Sequence, residues 1–386
     1  VQKDVQVCVV GKVFKPNRLK VLDLNKALYE YFRLVKWYLR FNSKSKIILH
    51  ENCYEKAKEL FSLNTALIQT ARDKAVEILK SFEKSRKENS VLRLKRAPIR
   101  FDSRCYKFSK TKNVLTPYWL TLSLNRRERI SLPIVFGERQ RIEEAFRGEW
   151  KFATVEMVKR KGEWCAHFIL KRTVEVPDEP ETVIAIDRGE HNLAVALSKS
   201  NPSKPLRGQF WRGEEIKKIR GLYNHIRRKL QEKKLLKKVK ELKGKERDKV
   251  NQELHIIANQ IVEYAKQFQK PVIVMENLNG IRISFKRSKR LNRRIHSLPF
   301  RRLQRMIEYK ALLEGIDVRY LTEKETRGTS RTCHRCGHVA QLKGREFRCP
   351  RCGMEYDRDL NACVNIAHRV MSSVGWVWGE PPNQHM

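Results

Sequence analysis

The sequence predicts an α/β domain preceded by a small β-barrel that carries a helical insertion. Three observations lead there. Strand-like alternation near the start gives way to two long helical patterns and resumes only after Arg100. Further on, short apolar runs alternate with helical stretches, as in a sheet covered by helices. Two Cys-x2-Cys turns then interrupt that pattern shortly before its last helix, marking a small inserted metal knuckle.

Residues 5–14 alternate apolar and polar side chains and read as a strand. Leu24, Leu28, Tyr31, Phe32, Val35 and Leu39 share one face of a helix expected over Leu24–Phe41. A second helix is expected from Tyr54 to Phe82, with Leu60, Leu67, Ala71, Ala75, Ile78 and Phe82 at helical spacing. "YWLTLSL" and "RISLPIVF" are neighbouring strands, and "KFATVEMVKRKGEWCAHFILKR" is a hairpin turning at Lys161-Gly162. Strand 5–14 has no partner nearby in sequence, so the barrel is expected to comprise residues 1–20 and 96–175, with 21–95 as the helical insertion. The Pro-rich acidic stretch "TVEVPDEPE" is the domain boundary. Beyond it come the strands "TVIAID" and "HNLAVALS", a basic helical stretch over Glu214–Gln269, and the strand "PVIVMENL". The basic segment "FKRSKRLNRR", a helix at about 298–314 and the strand "DVRYL" complete the α/β pattern. Its limits are 180–326 and 355–386, with the knuckle inserted at 327–354.

Charge narrows the function classes. The chain has 83 Lys+Arg against 43 Asp+Glu, a net charge of +40 spread over its 386 residues. A membrane-binding basic patch works beside an amphipathic anchor or a lipidation site, and neither is present. No apolar run is long enough to span a bilayer, and the N-terminus alternates like a strand rather than a signal peptide, so a cytoplasmic protein without membrane contact is expected. Excess charge of this extent suits a long polyanion gripped in many places, hence a nucleic acid.

Cys333-x2-Cys336 and Cys349-x2-Cys352 supply four thiolates, the donor set of a closed tetrahedral Zn²⁺ site, and Gly337 and Gly353 follow the second Cys of each pair. Disulfides do not suit a cytoplasmic chain, and a redox pair needs no second matched pair; an iron–sulfur cluster is the rarer alternative. A closed four-cysteine site leaves no open position, so this zinc is expected to be structural. The remaining five cysteines read as small buried residues.

Carboxylates placed after buried apolar runs have few structural reasons to be there. Asp187 follows "VIAI", Glu276 follows "VIVM", and Asp357 and Asp359 open the helix in "YDRDLNACVNIA". Either of the last two suits an N-cap. Converging carboxylates repel and call for divalent cations, and Mg²⁺ favours a few carboxylates together with water and phosphate oxygens. Two such ions about 3.5–4 Å apart support in-line phosphodiester displacement, the chemistry of ribonuclease H-like nucleases.

"IAIDRGEHNLAVAL", "VIVMENLNGI" and "TSRTCHRCGHV…FRCPRCGMEYDRDLNACVNIA" resemble the three split RuvC motifs and zinc finger of the TnpB (OrfB) family. These are transposon-encoded RNA-guided DNA nucleases related to type V CRISPR effectors, and the resemblance, archaeal in character, covers about residues 180–370. It implies a RuvC nuclease domain holding two Mg²⁺ on Asp187, Glu276 and Asp359, with Asp359 preferred over Asp357 by the D-x-N-A-A pattern, in which Cys363 replaces the second Ala. It also implies that the N-terminal half is a wedge barrel with a recognition insert. The implied partners are a transposon-end-derived guide RNA and target DNA, double- and single-stranded, with the protein reading a short flanking motif. Candidate RNA or heteroduplex contacts are Lys233, Lys234, Lys237 and Lys238, and Lys286, Arg287, Arg290, Arg293 and Arg294; Thr65, Gln69 and Arg72 are candidate flanking-motif readers. Three rivals stand beside this reading: a strand-transfer transposase, a binding-only relative, and a miniature type V CRISPR effector. The intact acidic set opposes the second, and the four-cysteine insertion opposes the first.

Overall fold

The computed structural model describes residues 1–85, 90–125, 128–160, 162–187, 192–200, 207–277, 299–340, 344 and 346–373. Two compact units form, one from Gln6–Arg172 and the other from Val1–Val5 together with Thr173–Met386.

The first unit holds most of β1 (Gln2–Val13) and of β7 (Glu163–Glu175), together with α1 (Arg18–Leu39), α2 (Lys46–Leu60), α3 (Thr65–Ser85), β2 (Ile99–Phe101), β3 (Tyr106–Lys110), β4 (Tyr118–Ser123), β5 (Arg129–Phe136), α4 (Gln140–Phe146) and β6 (Lys151–Arg160). Its sheet runs β2-β6-β7-β1-β5-β4-β3. The first strand therefore lies centrally, antiparallel to β5 with Gly11 opposite Phe136. Phe108 on edge strand β3 stands 4.4 Å (ring centroids) from Phe168 on β7 and 5.4 Å from Phe152 on β6, so the sheet curls until its two halves share an aromatic core.

The single helix expected over Tyr54–Phe82 is two helices. Phe61 is extended, Leu63 bridges to Asn125, and the Asn64 side chain accepts from Ala66 N (2.8 Å) to start α3. Tertiary pairing breaks a helical pattern that is continuous in the sequence. Ser45 likewise starts α2 earlier than expected by accepting from Ile48 N. A polar cluster seats α3 on the sheet: Lys74 Nζ lies 2.7 Å and Arg100 Nε 3.0 Å from the same Glu156 oxygen, and Arg100 grips Glu77 at 2.8 and 2.9 Å. Burial pushes the Glu156 pKa up, but Lys74 and Arg100 outweigh it and hold the carboxylate below its ordinary range.

The second unit contains β8 (Thr182–Asp187), β9 (Asn192–Ser200), β10 (Arg207–Arg212), α5 (Glu214–Glu232), α6 (Leu236–Lys266), β11 (Pro271–Glu276), α7 (Phe300–Leu313), β12 (Asp317–Leu321), α8 (Glu323–Thr326), β13 (Glu346–Arg348), β14 (Glu355–Asp357) and α9 (Arg358–Ser373). Its five-stranded sheet has the order β10-β9-β8-β11-β12. β8, β11 and β12 are parallel, while β9 and β10 extend the sheet antiparallel. Strand period two sorts the apolar residues. Ile184, Ile186, Ile273 and Met275 pack against Leu254, Ile261, Leu303 and Ile307 of α6 and α7. Val183, Ala185, Val272 and Val274 pack against Val364, Ile366 and Ala367 of α9 on the other face. The result is a helix–sheet–helix sandwich. The basic stretch expected as one helix turns back at Lys233–Leu235, where Lys234 has a positive φ of 53°, and Arg227 pairs with Glu246 across the hairpin. Among the described residues no helix is long and apolar enough to cross a membrane.

Candidate active site

Asp187 and Glu276 are the last residues of two adjacent parallel strands. Ile186 is paired with Met275, so the next residue on each strand lies level with the other, about 4.8 Å across the ladder. By alternation both carboxylates fall on the face of Val183, Ala185, Val272 and Val274, the face covered by α9. Asp359 lies in the first turn of α9, one helical turn before Cys363. Cys363 is fully buried, and its thiol titrates well above the ordinary range. Burial is the main cause, followed by the charge of Asp187, with further contributions from Asp359 and Glu276, while the Asp187 backbone opposes them. Register places Asp187 and Glu276 at the C-terminal edge of the parallel strands, and the helix packed on that face carries Asp359 in its first turn.

The structure also separates the two acids that open α9. Asp357 Oδ1 accepts from the backbone N–H of Asp359 (2.9 Å) and of Leu360 (3.1 Å), so Asp357 is the cap. Asp359 is left to the sheet edge.

Among the described residues, the tight cluster of metal-ligating groups is Cys333, Cys336, Cys349 and Cys352, whose sulfurs all lie within 4.8 Å of one another. Asp187, Glu276 and Asp359 do not form a cluster that tight. Cys333 Sγ is 3.6 Å from Cys352 Sγ, and Cys336 Sγ is 3.5 Å from Cys349 Sγ. A tetrahedron with Zn–S bonds of about 2.3 Å has edges of about 3.8 Å, so the cage fits zinc. Each half is built alike. Gly337 and Gly353 adopt φ of 73° and 69°, and their N–H groups bond to Cys333 O (2.9 Å) and Cys349 O (3.0 Å). Both positions need the left-handed backbone that glycine adopts at little cost. Phe347 and Ala340 fill the small core beneath the sulfurs. Burial raises the Cys333 thiol to about 12. At Cys349 burial is outweighed by the N–H groups of Cys352 and Arg351 and by the Cys336 thiol, which bring it to about 7.

The sequence reading missed how this knuckle is fastened. The Asn361 and Asn365 carboxamides, on the side of α9 away from Asp359, both donate to the carbonyls of Thr329 and Thr332. Asn361 Oδ1 accepts from His334 N (3.2 Å) and lies 2.9 Å from His334 Nδ1. The available signal was two carboxamides four residues apart in the apolar run "NACVNIA", since buried amides need partners.

Of the candidate nucleic-acid contacts, Lys233, Lys234, Lys237 and Lys238 cluster at the exposed turn between α5 and α6, and none has an ion-pair partner among the described residues. Thr65 opens α3, Gln69 Oε1 accepts from Arg104 (2.8 Å), and Arg72 donates twice to Asp73 (3.0 and 2.8 Å). Lys286, Arg287, Arg290, Arg293 and Arg294 lie outside the described residues.

Residues 300–366 match the model of the Cas12f1-like TNB domain. A TnpB-like protein of Methanocaldococcus jannaschii is 31% identical over 254 residues, covering 62% of this chain and 86% of that protein. The chain belongs to the TnpB-like family. This TnpB-family chain is also related to type V effectors. The CRISPR-associated endodeoxyribonuclease Cas12f2 of a Micrarchaeota archaeon is 30% identical over 239 residues, 55% of this chain but 41% of that protein. The fold is similar to that in the cryo-EM structure of a Cas12f1–sgRNA–target DNA complex, with a TM-score of 0.67 at 16% identity over 90% of this chain and 82% of that one. It is also similar to that of the mini RNA-guided endonuclease CRISPR-Cas_phi3, with a TM-score of 0.55 at 11% identity over 95% and 92% of the two chains.

Proposed function

We propose that the chain is an RNA-guided DNA endonuclease that hydrolyses a phosphodiester of target DNA at Asp187, Glu276 and Asp359. What supports the reading is the strand register that sets Asp187 level with Glu276 on the sheet face covered by α9, whose first turn carries Asp359, in a member of the TnpB-like family. The second unit is read as a RuvC-type nuclease domain, with the knuckle inserted before its last helix. The curled sheet of the first unit is read as a wedge barrel, and helices α1, α2 and α3 as its recognition insert.

Asp187, Glu276 and Asp359 would hold two Mg²⁺, which when bound activate a water and stabilise the leaving 3′ oxygen. The protein's own part is positional. Two carboxylates are set level by strand register, and the third is set by a helix whose first turn Asp357 caps. The apolar face of α9 keeps the floor of the site closed beneath them. The cysteine cage would hold one structural Zn²⁺ and take no part in bond breaking. A guide RNA and the paired target strand account for a charge of +40 better than an unguided nuclease does, and the free lysines at the α5–α6 turn are the proposed contact. Coverage of a TnpB-like relative at 86%, against 41% for Cas12f2, favours a transposon nuclease over a miniature CRISPR effector.

The test is cleavage of a plasmid library by protein coexpressed with its own locus, compared with RNA-free protein. Cutting should follow the RNA segment that pairs with the target and should fail with mismatches next to the flanking motif, where pairing nucleates. Neutralising Lys233, Lys234, Lys237 and Lys238 should weaken RNA retention without moving the cut. Equal, sequence-blind cutting by RNA-free protein would defeat the guided reading.

A further inference from the structure

We propose that Asn361 and Asn365 are positioning residues: they latch the chain entering the knuckle onto α9, so that the folded knuckle holds Asp359 in place. The proposal rests on the reading of Asp359 as a metal-binding carboxylate. Asn361 is fully buried and Asn365 nearly so. The two amides duplicate each other. Asn361 Nδ2 lies 2.9 Å from Thr332 O and 3.5 Å from Thr329 O, and Asn365 Nδ2 lies 2.7 and 2.8 Å from the same two oxygens. Thr332 immediately precedes the first ligand cysteine and His334 immediately follows it, so the latch brackets Cys333.

Helix geometry makes this more than local packing. Asn361 and Asn365 share one side of α9, and Asp359 and Cys363, two residues earlier in each case, lie about 200° around the axis. The helix is thus held between two surfaces. Its apolar side presses on β8 and β11, where Asp187 and Glu276 end, and its amide side is tied to the knuckle. Arg369 extends the tie by donating to Arg327 O (3.0 Å). A helix is stiff over one turn, so a shift at Asn361 is passed to Asp359 two residues away. Groups that orient metal ligands from behind typically change metal affinity by about 10–100-fold when removed. The cysteine knuckle, chemically inert itself, would in this way set the geometry of the carboxylate site.

The experiment uses the full chain with its bound RNA and compares Asn361→Asp, Asn365→Asp and Asp359→Ala with the parent. Both Asp substitutions keep side-chain shape and remove the donors to Thr329 and Thr332, and Asn361→Asp also keeps the acceptor toward His334. Zinc per chain, backbone hydrogen exchange over residues 329–340, the Mn²⁺ dissociation constant and the Mg²⁺ dependence of cleavage are read together. For Asn361→Asp the expected result is unchanged zinc, faster exchange, Mn²⁺ binding weaker by about tenfold or more, and cleavage restored by raising Mg²⁺. Asn365→Asp should move the same readouts less, because Asn365 lies one helical turn farther from Asp359 than Asn361 does, and it serves if Asn361→Asp does not fold. Lower thermal stability with an unchanged Mn²⁺ constant would make the amides merely structural and overturn the proposal. Unchanged exchange in both variants would overturn it as well. If Asp359→Ala leaves Mn²⁺ binding intact while the Asn variants speed exchange, the assignment of Asp359 fails and the latch does not.

Discussion

Asp357 and Asp359 are two residues apart, and their replacement by alanine should have opposite consequences. Asp357 Oδ1 accepts from two backbone N–H groups of the first turn of α9, at 2.9 and 3.1 Å. Losing such a cap costs about 1 kcal/mol, and losing its negative charge beside the helix N-terminus adds about 0.3–1 kcal/mol. Asp357→Ala should therefore destabilise the second unit by about 1.5–2 kcal/mol. For a folding unit of about 150–250 residues each kcal/mol lowers Tm by about 2–4 °C, which gives a fall of about 3–8 °C. Asp357→Asn, which still caps, should recover most of it. Cleavage by Asp357→Ala should persist below the new Tm, because Asp359, the proposed metal-binding carboxylate, is untouched. Asp359→Ala should do the reverse, with Tm within about 2 °C of the parent, guide-directed DNA binding retained and Mg²⁺-dependent cleavage abolished. Differential scanning calorimetry and single-turnover cleavage on one preparation decide it. A dead Asp357→Ala with unchanged Tm beside an active Asp359→Ala would refute the assignment of both residues.

Three further outcomes are expected. Elemental analysis should find about one zinc per chain, and Cys349→Ser should lose it together with thermal stability, because binding and folding of the knuckle are coupled; iron, or active protein without metal, would contradict this. Glu156 binds its proton less readily in the folded state, so its stabilising contribution is present above its ordinary value of 4.5 and is lost as pH falls through the lower folded value. Glu156→Gln should cost about 3 kcal/mol at neutral pH by leaving Lys74 short of its partner, and the difference from the parent should shrink in acid denaturation below that value. Gly11→Ala should destabilise the first unit by about 1–3 kcal/mol in urea unfolding, since its Cβ would stand 2.3 Å from Ile134 Cγ2 and 2.8 Å from Phe136 Cε1, both in the core.

What could be read from the chain followed from chemistry contained within a few residues. Four cysteines in two short turns define a metal cage by their spacing, since each turn is closed by its own glycine. "VIAID" and "VIVME" announce strands that end in acids, because a buried parallel strand is a continuous apolar run. The hairpin at Gly162 was legible for the same local reason. Where the reading went astray, a distant partner had altered a local pattern. The helical spacing from Tyr54 to Phe82 has no break of its own; the break comes from Leu63 pairing with Asn125 and Asn64 bonding to Leu124. The basic stretch after Glu214 folds back, which lets Ile216 of α5 and Val250 and Leu254 of α6 share one core with the sheet.

Register and hydrogen-bond choice belong to the tertiary structure alone. Composition does not say that Ile186 pairs with Met275, yet that pairing sets Asp187 level with Glu276. Either of two aspartates could have capped α9, and only the path of the chain out of β14 gives that task to Asp357. Asn361 and Asn365 find their acceptors on Thr329 and Thr332, residues that sequence distance hides and packing brings within 3 Å. Residue type and spacing determined which chemistry the chain can support. Where each group points was decided by long-range contacts, whose free energy is gained only when the whole unit closes.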